Sequence, residues 1–385
     1  MALYRIFPEK DSFIYTEGPL TNLGRDALLE VGGYPTSAGG QTLRSLIKFN
    51  SKEVTDVIKD KVGLTLPTNT GYSASLHLSL NYAAELPINY SIDVHPIAEA
   101  WDEGTGKFGD MPVNKSGCSW TMKDAAANRW SSGSFEISAT GFTTGSNELH
   151  TTSSYNDELP GGGFWYFTSG SSNTPLSSSI EFNKNSDHDL DIDVTKIVQY
   201  QMNSYIANHG MLVKLPNSLE FNPSSSIRLK YYGEDTNTIY PPYLEVKWDD
   251  YTHTSSLSEI TDPEVVVTIK NNKGKYTDEG KQRFRIHARP KYPTRTYTTS
   301  SAYTSNYTLP TASYWGLRDE NTEEMVFDFD NNYTKISADN TSNYFDIYMD
   351  GLQPERYYRL LLKTEIDGTT SVIDNDQVFK VVRNG

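Results

Sequence analysis

Residues 74–82, ASLHLSLNY, alternate apolar and polar side chains, and this period of two is the strongest structural signal in the chain. Successive side chains of a β-strand point to opposite faces, so the alternation predicts a strand with one buried face. The stretches LRSLIKF (43–49), IRLKY (227–231) and YLEVKW (243–248) repeat it. Between them lie segments rich in Gly, Ser, Thr, Asn and Pro, which favour turns. We therefore predict an all-β protein of the sandwich or jelly-roll type.

Two stretches have a helical period instead. They are SKEVTDVIKDKVG (51–63) and DVTKIVQYQMNSYIANHG (193–210), and each places its apolar residues on one helical face. We expect two short helices laid across the ends of a sheet. The predicted N-caps are Ser51 in the first and Asp193 or Thr195 in the second, and the predicted ends are Gly63 and Gly210.

The composition bounds the class of protein. The chain has 385 residues and a mass of 43.3 kDa, which suggests two or three domains. Only 36% of the residues are apolar, so a core requires thin sheets, and the longest apolar runs are too short for a transmembrane helix. The first fifteen residues, MALYRIFPEKDSFIY, lack an apolar segment, and Cys118 is the only cysteine. We expect no secretory signal, no intrachain disulfide and no multi-cysteine zinc site.

The net charge of -15 is unevenly distributed. Residues 1–262 hold 18 basic and 32 acidic residues, whereas residues 263–385 hold 16 and 17. Nucleic-acid binding requires a basic surface, so we predict no nucleic-acid partner.

The spacing of the strands divides the chain into two predicted domains. Residues 1–250 form a jelly-roll or β-sandwich domain. The stretch 248–263, WDDYTHTSSLSEITDP, has little periodicity, and we interpret 251–262 as a linker. Residues 263–385 have about seven strands, which is typical of an immunoglobulin-like or fibronectin-like sandwich. These strands are predicted near 265–270, 283–288, 313–317, 325–329, 344–349, 356–363 and 377–382.

A series of segments in the first domain has a familiar order. They are DSFIYTEGPLTNLGRDALLEVG (11–32), LRSLIKFN (43–50), EAWDEGTGKFG (99–109), CSW (118–120) followed by Trp130 and Gly133, LDIDVT (190–195), NHGMLVK (208–214) and PPYLEVKW (241–248). In this order they resemble the DNRLRE (disaggregatase-related) jelly-roll family over about 10–250. The Asn-x-Gly loop at Asn22 and the Trp-x-Glu-Gly loop at Trp101 belong to this resemblance. The chain departs from the family in the insertion 51–71 and in the Gly/Ser-rich region 131–180.

The resemblance implies an antiparallel jelly roll of a kind that serves as an adhesive or carbohydrate-associated module on surfaces. The stretch 332–363, NYTKISADNTSNYFDIYMDGLQPERYYRLLLK, resembles segments of uncharacterised virion proteins of tailed phages. A phage protein is made in the host cytoplasm without a signal peptide. Such a protein is also expected to be poor in cysteine and rich in Tyr, Ser, Thr and Asn, as this chain is.

Four tryptophans and three carboxylates are candidates for a glycan-binding or interaction surface. Aromatic faces with carboxylates at their rim suit sugars, which offer C–H faces and hydroxyl groups. The alternative is that the tryptophans fill the core of the jelly roll. A glycosidase pair is less favoured, because a Gly-rich loop fixes no separation between its carboxylates. The candidate residues are Trp101, Trp120, Trp130, Trp165, Glu99, Asp102 and Glu103.

Two stretches of alternating charge are candidate docking faces. DHDLDIDV (187–194) places four aspartates on one strand face, and KQRFRIHARPKYPTR (281–295) has six basic residues and no acid. We hypothesise that the acidic face of one copy meets the basic face of a neighbour and so builds a ring. The alternatives are solvated or internally balanced faces and, for the aspartates, calcium. The residues are Asp187, Asp189, Asp191, Asp193, Arg283, Arg285, His287 and Arg289.

The sequence has no complete catalytic motif. GTGKFG (104–109) has the spacing of a dinucleotide loop, but Pro112 and a loop follow where a helix is needed. The seven histidines are scattered, and neither G-x-S-x-G nor H-E-x-x-H occurs. We predict no enzymatic activity, no cofactor and no metal site.

These observations favour a non-enzymatic structural protein of a tailed-phage virion, in the neck, tail, baseplate or head surface. Its expected partners are other virion proteins and further copies of itself in a symmetric oligomer or ring. The alternative is a carbohydrate-binding adhesin that uses the aromatic surface, with a host glycan as partner. We expect location in the virion, with no membrane insertion.

Overall fold

A computed structural model describes residues 2–36, 39–63, 71–131, 136–137, 142–147, 161–169, 174–220, 226–293 and 304–384. The chain divides into two compact units. The larger unit is Ile6–Glu245, and the smaller unit combines Met1–Arg5 with Val246–Gly385.

Antiparallel sheets build the larger unit. A large sheet has the order β12-β7-β14-β4-β3-β15-β6, with β2 also paired to β4, and a small sheet has the order β11-β10-β9-β8. A further sheet has the order β1-β16-β5-β13. The strands are β1 (Ala2–Ile6), β2 (Pro8–Tyr15), β3 (Leu28–Thr36), β4 (Gly39–Phe49), β5 (Tyr72–Leu78), β6 (Leu80–Ala84), β7 (Asn89–Pro96), β8 (Glu136–Ile137), β9 (Phe142–Asn147), β10 (Gly161–Ser169), β11 (Thr174–Pro175), β12 (Ser178–Asn183), β13 (Leu190–Asp193), β14 (Met211–Lys214), β15 (Ile227–Tyr232) and β16 (Tyr243–Trp248).

The burial of these strands follows the sequence pattern in part. In β5 and β15 every second residue is buried, as the alternation predicts. The predicted run 74–82 nevertheless ends at Leu78, and β6 continues in a different sheet. Strand β4 differs more, since residues 41–47 are all buried. The prediction of one buried face is wrong for β4, because this central strand is covered on both faces.

The two predicted helices are present. Helix α1 (Ser51–Asp56) continues into a π-helical turn (Val57–Lys61), and α2 spans Thr195–Met202. A third short helix, α3, spans Asn217–Glu220. Among the described residues, none of the helices has the length and apolar character needed to cross a membrane.

The helix ends correct the predicted caps. Asn50, one residue before Ser51, caps α1, because its Oδ1 accepts hydrogen bonds from the amides of Lys52 and Glu53 at 2.9 and 3.2 Å. Gly63 follows with a positive φ of 79°, as a C-terminal stop requires. Helix α2 ends well before Gly210.

The smaller unit is a two-sheet sandwich. One sheet has the order β17-β19-β23-β22 and the other β18-β25-β24-β20-β21. The order β17-β19-β23-β22 corresponds to strands A-B-E-D of immunoglobulin domains, and the order β25-β24-β20 corresponds to their strands G-F-C. The strands are β17 (Val265–Ile269), β18 (Lys275–Thr277), β19 (Lys281–Pro290), β20 (Ser313–Asp319), β21 (Met325–Phe327), β22 (Ser337–Ala338), β23 (Asn343–Tyr348), β24 (Tyr357–Ile366) and β25 (Thr369–Val382), with a 3-10 turn at Met349–Gly351.

All seven predicted strands of this unit are confirmed, and the structure adds the short strands β18 and β22. Together with the antiparallel sheets of the larger unit, they confirm the predicted all-β sandwich class.

Aromatic residues fill the core of the smaller unit. Trp315 on β20 is buried and stacks on Phe345 at a centroid distance of 5.1 Å. Tyr358, near the start of β24, is also buried, and its hydroxyl donates to the Gln353 carbonyl at 2.9 Å. A buried tryptophan on the C strand and a tyrosine that bonds back to the preceding turn are both features of immunoglobulin sandwiches.

Residues 251–262, interpreted above as a linker, are bonded to the smaller unit. The Thr254 amide donates to the Ala338 carbonyl, and the Ile260 amide donates to the Thr308 carbonyl, both at 2.9 Å. Ile260 lies in the same buried cluster as Trp315. These residues are therefore part of the folded structure of this unit.

The hydrogen bond from the Tyr358 hydroxyl to the Gln353 carbonyl generates a stability prediction. Tyr358→Phe leaves the Gln353 carbonyl without its donor, and we expect a loss of about 1–2 kcal/mol. Tyr357→Phe is the matched control, since the neighbouring ring is exposed, and its expected effect is within about 0.5 kcal/mol. Thermal unfolding of the full chain measures both variants. Equal midpoints for the two would contradict the role of this hydrogen bond.

Candidate functional site

The four candidate tryptophans form a core and not a surface. Trp101, Trp120, Trp130 and Trp165 are at most 5% exposed and share one buried cluster with Cys118. The Trp101 and Trp130 indole N–H groups donate to the carbonyls of His209 and Ser119. The structure thus bears out the interpretation that the tryptophans fill the core, and the candidate glycan surface is not formed, because a sugar cannot stack on a ring that other side chains cover.

A buried ion pair lies against this cluster. Arg44 on β4 donates from Nε and Nη2 to the two carboxylate oxygens of Glu220, at 2.7 and 2.8 Å, and both side chains are fully buried. The Arg44 Nη1 atom donates to the Gly162 carbonyl at 2.6 Å. The guanidinium also lies 5.1 and 5.2 Å from the ring centroids of Trp120 and Trp165. The charges of the pair are thus matched by each other, by hydrogen bonds and by aromatic faces.

A second cation completes the network. Lys214 on β14 is buried, and its Nζ lies 3.1 Å from Glu220 and 2.9 Å from the Asn217 Oδ1 atom. Burial lowers the Lys214 pKa, although Glu220 opposes the shift. His95 is buried nearby, and desolvation, Lys214 and Arg44 together hold its pKa well below the ordinary value. At neutral pH the imidazole is therefore uncharged and adds no third positive charge to the network.

The glycine-rich loop 104–109 is held by Asn22. The buried Asn22 side chain donates to the carbonyls of Glu103 and Cys118 and accepts a bond from the Gly106 amide, at 2.6, 2.8 and 2.8 Å. A Cβ atom added at Gly104 would lie 2.2 Å from the Asn22 Oδ1 atom, so the close approach requires glycine. The Asn-x-Gly and Trp-x-Glu-Gly segments noted in the sequence are thus bonded to each other, and the glycines serve packing.

The three candidate carboxylates brace separate loops. Glu99 accepts bonds from Ser131 and Lys123, Asp102 accepts one from the Ala125 amide, and Glu103 accepts one from the Asp11 amide. Burial alone would raise the Glu99 pKa, but the Ser131 and Lys123 bonds outweigh it and lower this pKa. Because each carboxylate has its own partners, the three do not act as one rim.

A cluster of acids that the sequence did not single out surrounds Glu103. Asp11 is buried, and its carboxylate accepts a bond from the Glu234 amide at 2.6 Å. Arg25 bridges Glu103 and Asp235, each at 3.3 Å. Burial, helped by Glu103 and Asp235, raises the Glu234 pKa to about 7. Burial likewise raises the Asp11 pKa well above its usual range.

The four aspartates at 187–193 are exposed, as predicted, and Leu190 and Ile192 between them are buried. Most of these carboxylates cap nearby backbone. Asp189 accepts from the Leu80 amide at 2.6 Å, and Asp193 accepts from the Thr195 amide at 2.8 Å. Asp191 lies 3.3 Å from the His77 Nε2 atom. Several of the carboxylates on this strand edge therefore already have partners within the same unit.

The basic strand β19 is balanced by acids of its own unit. Arg283 makes a bidentate pair with Asp346 at 2.8 and 2.9 Å, and Arg285 makes one with Asp339 at 3.1 and 3.0 Å. Burial would raise the Asp339 pKa, but hydrogen bonds from Arg285 and from backbone amides lower it to about 2. Arg283 and Arg285 therefore do not form a free basic face, and the alternative, that acids of the same unit balance them, holds. Replacing either arginine with glutamate would place two acids side by side and destabilise the unit itself.

The remaining members of this stretch have backbone partners. His287 Nε2 lies 3.4 Å from the Thr304 carbonyl, and the Arg289 guanidinium donates to the Pro290 carbonyl at 3.0 Å. Arg295, at the end of the stretch, lies outside the described residues.

A surface cleft of about 280 Å³ in the smaller unit has lysines on its wall. Lys273, Lys275 and Lys281 line it together with Glu279, but the Lys281 Nζ lies 3.2 Å from Asp346. The cleft therefore has little excess charge. In the part of the chain that the structure describes, no group of three His, Cys, Asp or Glu side chains is placed to hold a metal ion.

Comparisons with known proteins leave the family open. No family model matches the chain, and no curated protein matches it. A solved structure of a DUF4785 family protein from Legionella pneumophila subsp. pneumophila str. Philadelphia 1 shares 8% identity, with a TM-score of 0.19, over 98% of this chain and 65% of that chain. So low a TM-score supports no argument. The resemblances to the DNRLRE family and to virion proteins stay predictions.

The buried network generates a second stability prediction. Glu220→Gln leaves Arg44 and Lys214 as neighbouring buried cations, and we expect a loss of about 3–5 kcal/mol. Asp56→Asn is the control, because its pair with Lys52 at 2.7 Å is exposed and worth less than about 1 kcal/mol. Urea unfolding followed by tryptophan fluorescence measures both. A Glu220→Gln chain as stable as wild type would refute the role of the pair.

The acid cluster generates a pH prediction. The Glu234 pKa is higher in the folded than in the unfolded chain, so the folded chain binds more protons between about pH 4.5 and pH 7. Stability from this group therefore rises as the pH falls from about 8 to about 5. We expect a gain of about 1–2 kcal/mol for wild type relative to Glu234→Gln, after discounting for the half-exposed position. Parallel pH profiles of urea unfolding for the two chains would contradict the prediction.

Proposed function

We propose that this protein is a non-enzymatic structural component of a tailed-phage particle and that it acts by docking to other proteins. The observation that carries the proposal is the exposure of large aromatic and apolar side chains on both units. Such side chains are enriched at protein interfaces, where they provide contact area at low entropic cost. They include Tyr82, Ile88, Phe108, Met111, Tyr205, Tyr292 and Tyr357.

The pairing of charged side chains within each unit also supports docking through apolar contacts. Arg283 and Arg285 are paired with acids of their own unit, and Glu99 and Glu103 brace loops. Docking through apolar and tyrosine contacts leaves these pairs intact, whereas docking through the basic strand would compete with them. The resemblance of 332–363 to virion proteins and the single cysteine support the particle as the location.

Co-sedimentation tests the proposal. An antibody raised against the recombinant chain is used to blot density-gradient fractions of the source culture. We expect the chain to travel with the DNA-containing particles and to remain bound in high salt, since apolar contacts are not screened as surface ion pairs are. Release of the chain into the soluble or envelope fractions, before any salt is added, would refute the particle location.

A further inference from the structure

The loop Gly104–Gly117, which we term the finger loop, presents three apolar side chains to solvent. Phe108 is 67% exposed, Met111 is 91% exposed and Val113 is 48% exposed. Single exposed apolar residues are common on soluble proteins, but here three lie within the short segment 108–113, which we term the tip. Tyr15, at a ring-centroid distance of 6.4 Å from Phe108, adjoins it.

The finger loop is held in shape at several points. Besides the Asn22 side chain, the Asn22 amide donates to the Asn114 carbonyl and the Arg25 amide donates to the Gly106 carbonyl, both at 2.9 Å. At the tip, the Phe108 amide donates to Asp26 and the Lys107 amide donates to Asp110, again at 2.9 Å. A loop held in this way loses little conformational entropy when it binds, so its apolar contacts are retained as affinity.

The surroundings of the tip are acidic. Asp26 and Asp110 accept hydrogen bonds from its backbone, and Glu103 and Asp235 lie beside its first residues, where Arg25 pairs with both. The larger unit, residues 6–245, holds 28 acidic and 16 basic residues. This excess of acid disfavours an anionic membrane and the larger unit of a second copy. Charge complementarity favours a partner with basic residues around the contact.

We propose that the finger loop inserts Phe108, Met111 and Val113 into an apolar pocket of a different protein whose rim carries Lys and Arg. This inference rests on the proposed docking role and names the surface and the chemistry of the partner. Apolar burial supplies the affinity, and the net negative charge of the larger unit orients the encounter.

The single cysteine allows a direct test. Cys118 is fully buried, and desolvation raises its pKa to about 12, so it is unreactive. Met111→Cys therefore provides one reactive thiol at the tip. Ile88→Cys, at another exposed position of the same unit, is the matched control. Both variants are expressed in the source culture, recovered by density gradient, and labelled with maleimide or with a thiol-linked benzophenone.

We expect the thiol of the Met111→Cys variant to react with maleimide at least about tenfold more slowly in the recovered assembly than in the purified chain. A tenfold reduction corresponds to a partner that covers about nine-tenths of the tips. The thiol of the Ile88→Cys variant should react equally in both. Benzophenone attached at position 111 should cross-link to one protein other than this chain, within an apolar segment flanked by Lys or Arg. Met111→Ser should reduce recovery of that complex, and Ile88→Ser should not.

Other outcomes overturn the inference. Equal labelling of the Met111→Cys variant in the assembly and in the purified chain would mean that the tip is free. Cross-linking from position 111 to a second copy, to lipid or to an acidic segment would mean that the partner is wrong. The gradient position reports separately on the proposed function. Protection of the tip thiol outside the particle fraction would refute the particle location alone, and a freely reactive tip thiol within that fraction would refute the finger-loop inference alone.

Discussion

Arg44 places a full positive charge in the interior of the larger unit, and the surrounding structure must compensate for it. A buried charge without a partner costs several kcal/mol, so Glu220, the Gly162 carbonyl and two indole faces are all required around it. These partners come from distant parts of the chain. Their convergence brings together β4, β10, α3 and the tryptophan cluster, and it leaves little freedom in how these elements pack.

In the smaller unit the paired arginines instead keep part of their surface in contact with solvent. Arg283 and Arg285 pair with acids near β23, and Arg356 pairs with Asp319, while the interior is apolar and aromatic around Trp315. Internal pairing limits the charge that the smaller unit offers to a partner, whereas the larger unit keeps a net excess of acid. What remains available is apolar and aromatic surface, above all the tip of the finger loop.

Sequence reasoning succeeded where structure is encoded locally. The seven strands of the smaller unit and the two helices of the larger one follow from periods of about 2 and about 3.6 residues. It failed for β4, where Arg44 and Ser45 were assigned to a pattern with one solvent face. It left the tryptophans open between core and surface, since the spacing of Trp101 and Trp120 does not indicate what covers them. No local signal relates Arg44 to Glu220, which lies 176 residues away.

The sequence by itself determined the all-β class, the acidic character of the first part of the chain and the positions of seven strands of the smaller unit. Each of these depends on neighbouring residues or on a sum of charges. Only the tertiary structure decided that the tryptophans are buried, that the basic strand is neutralised and that Phe108 and Met111 are exposed. Burial and ion pairing depend on which residues come into contact after the chain has folded, and composition and spacing do not specify those contacts.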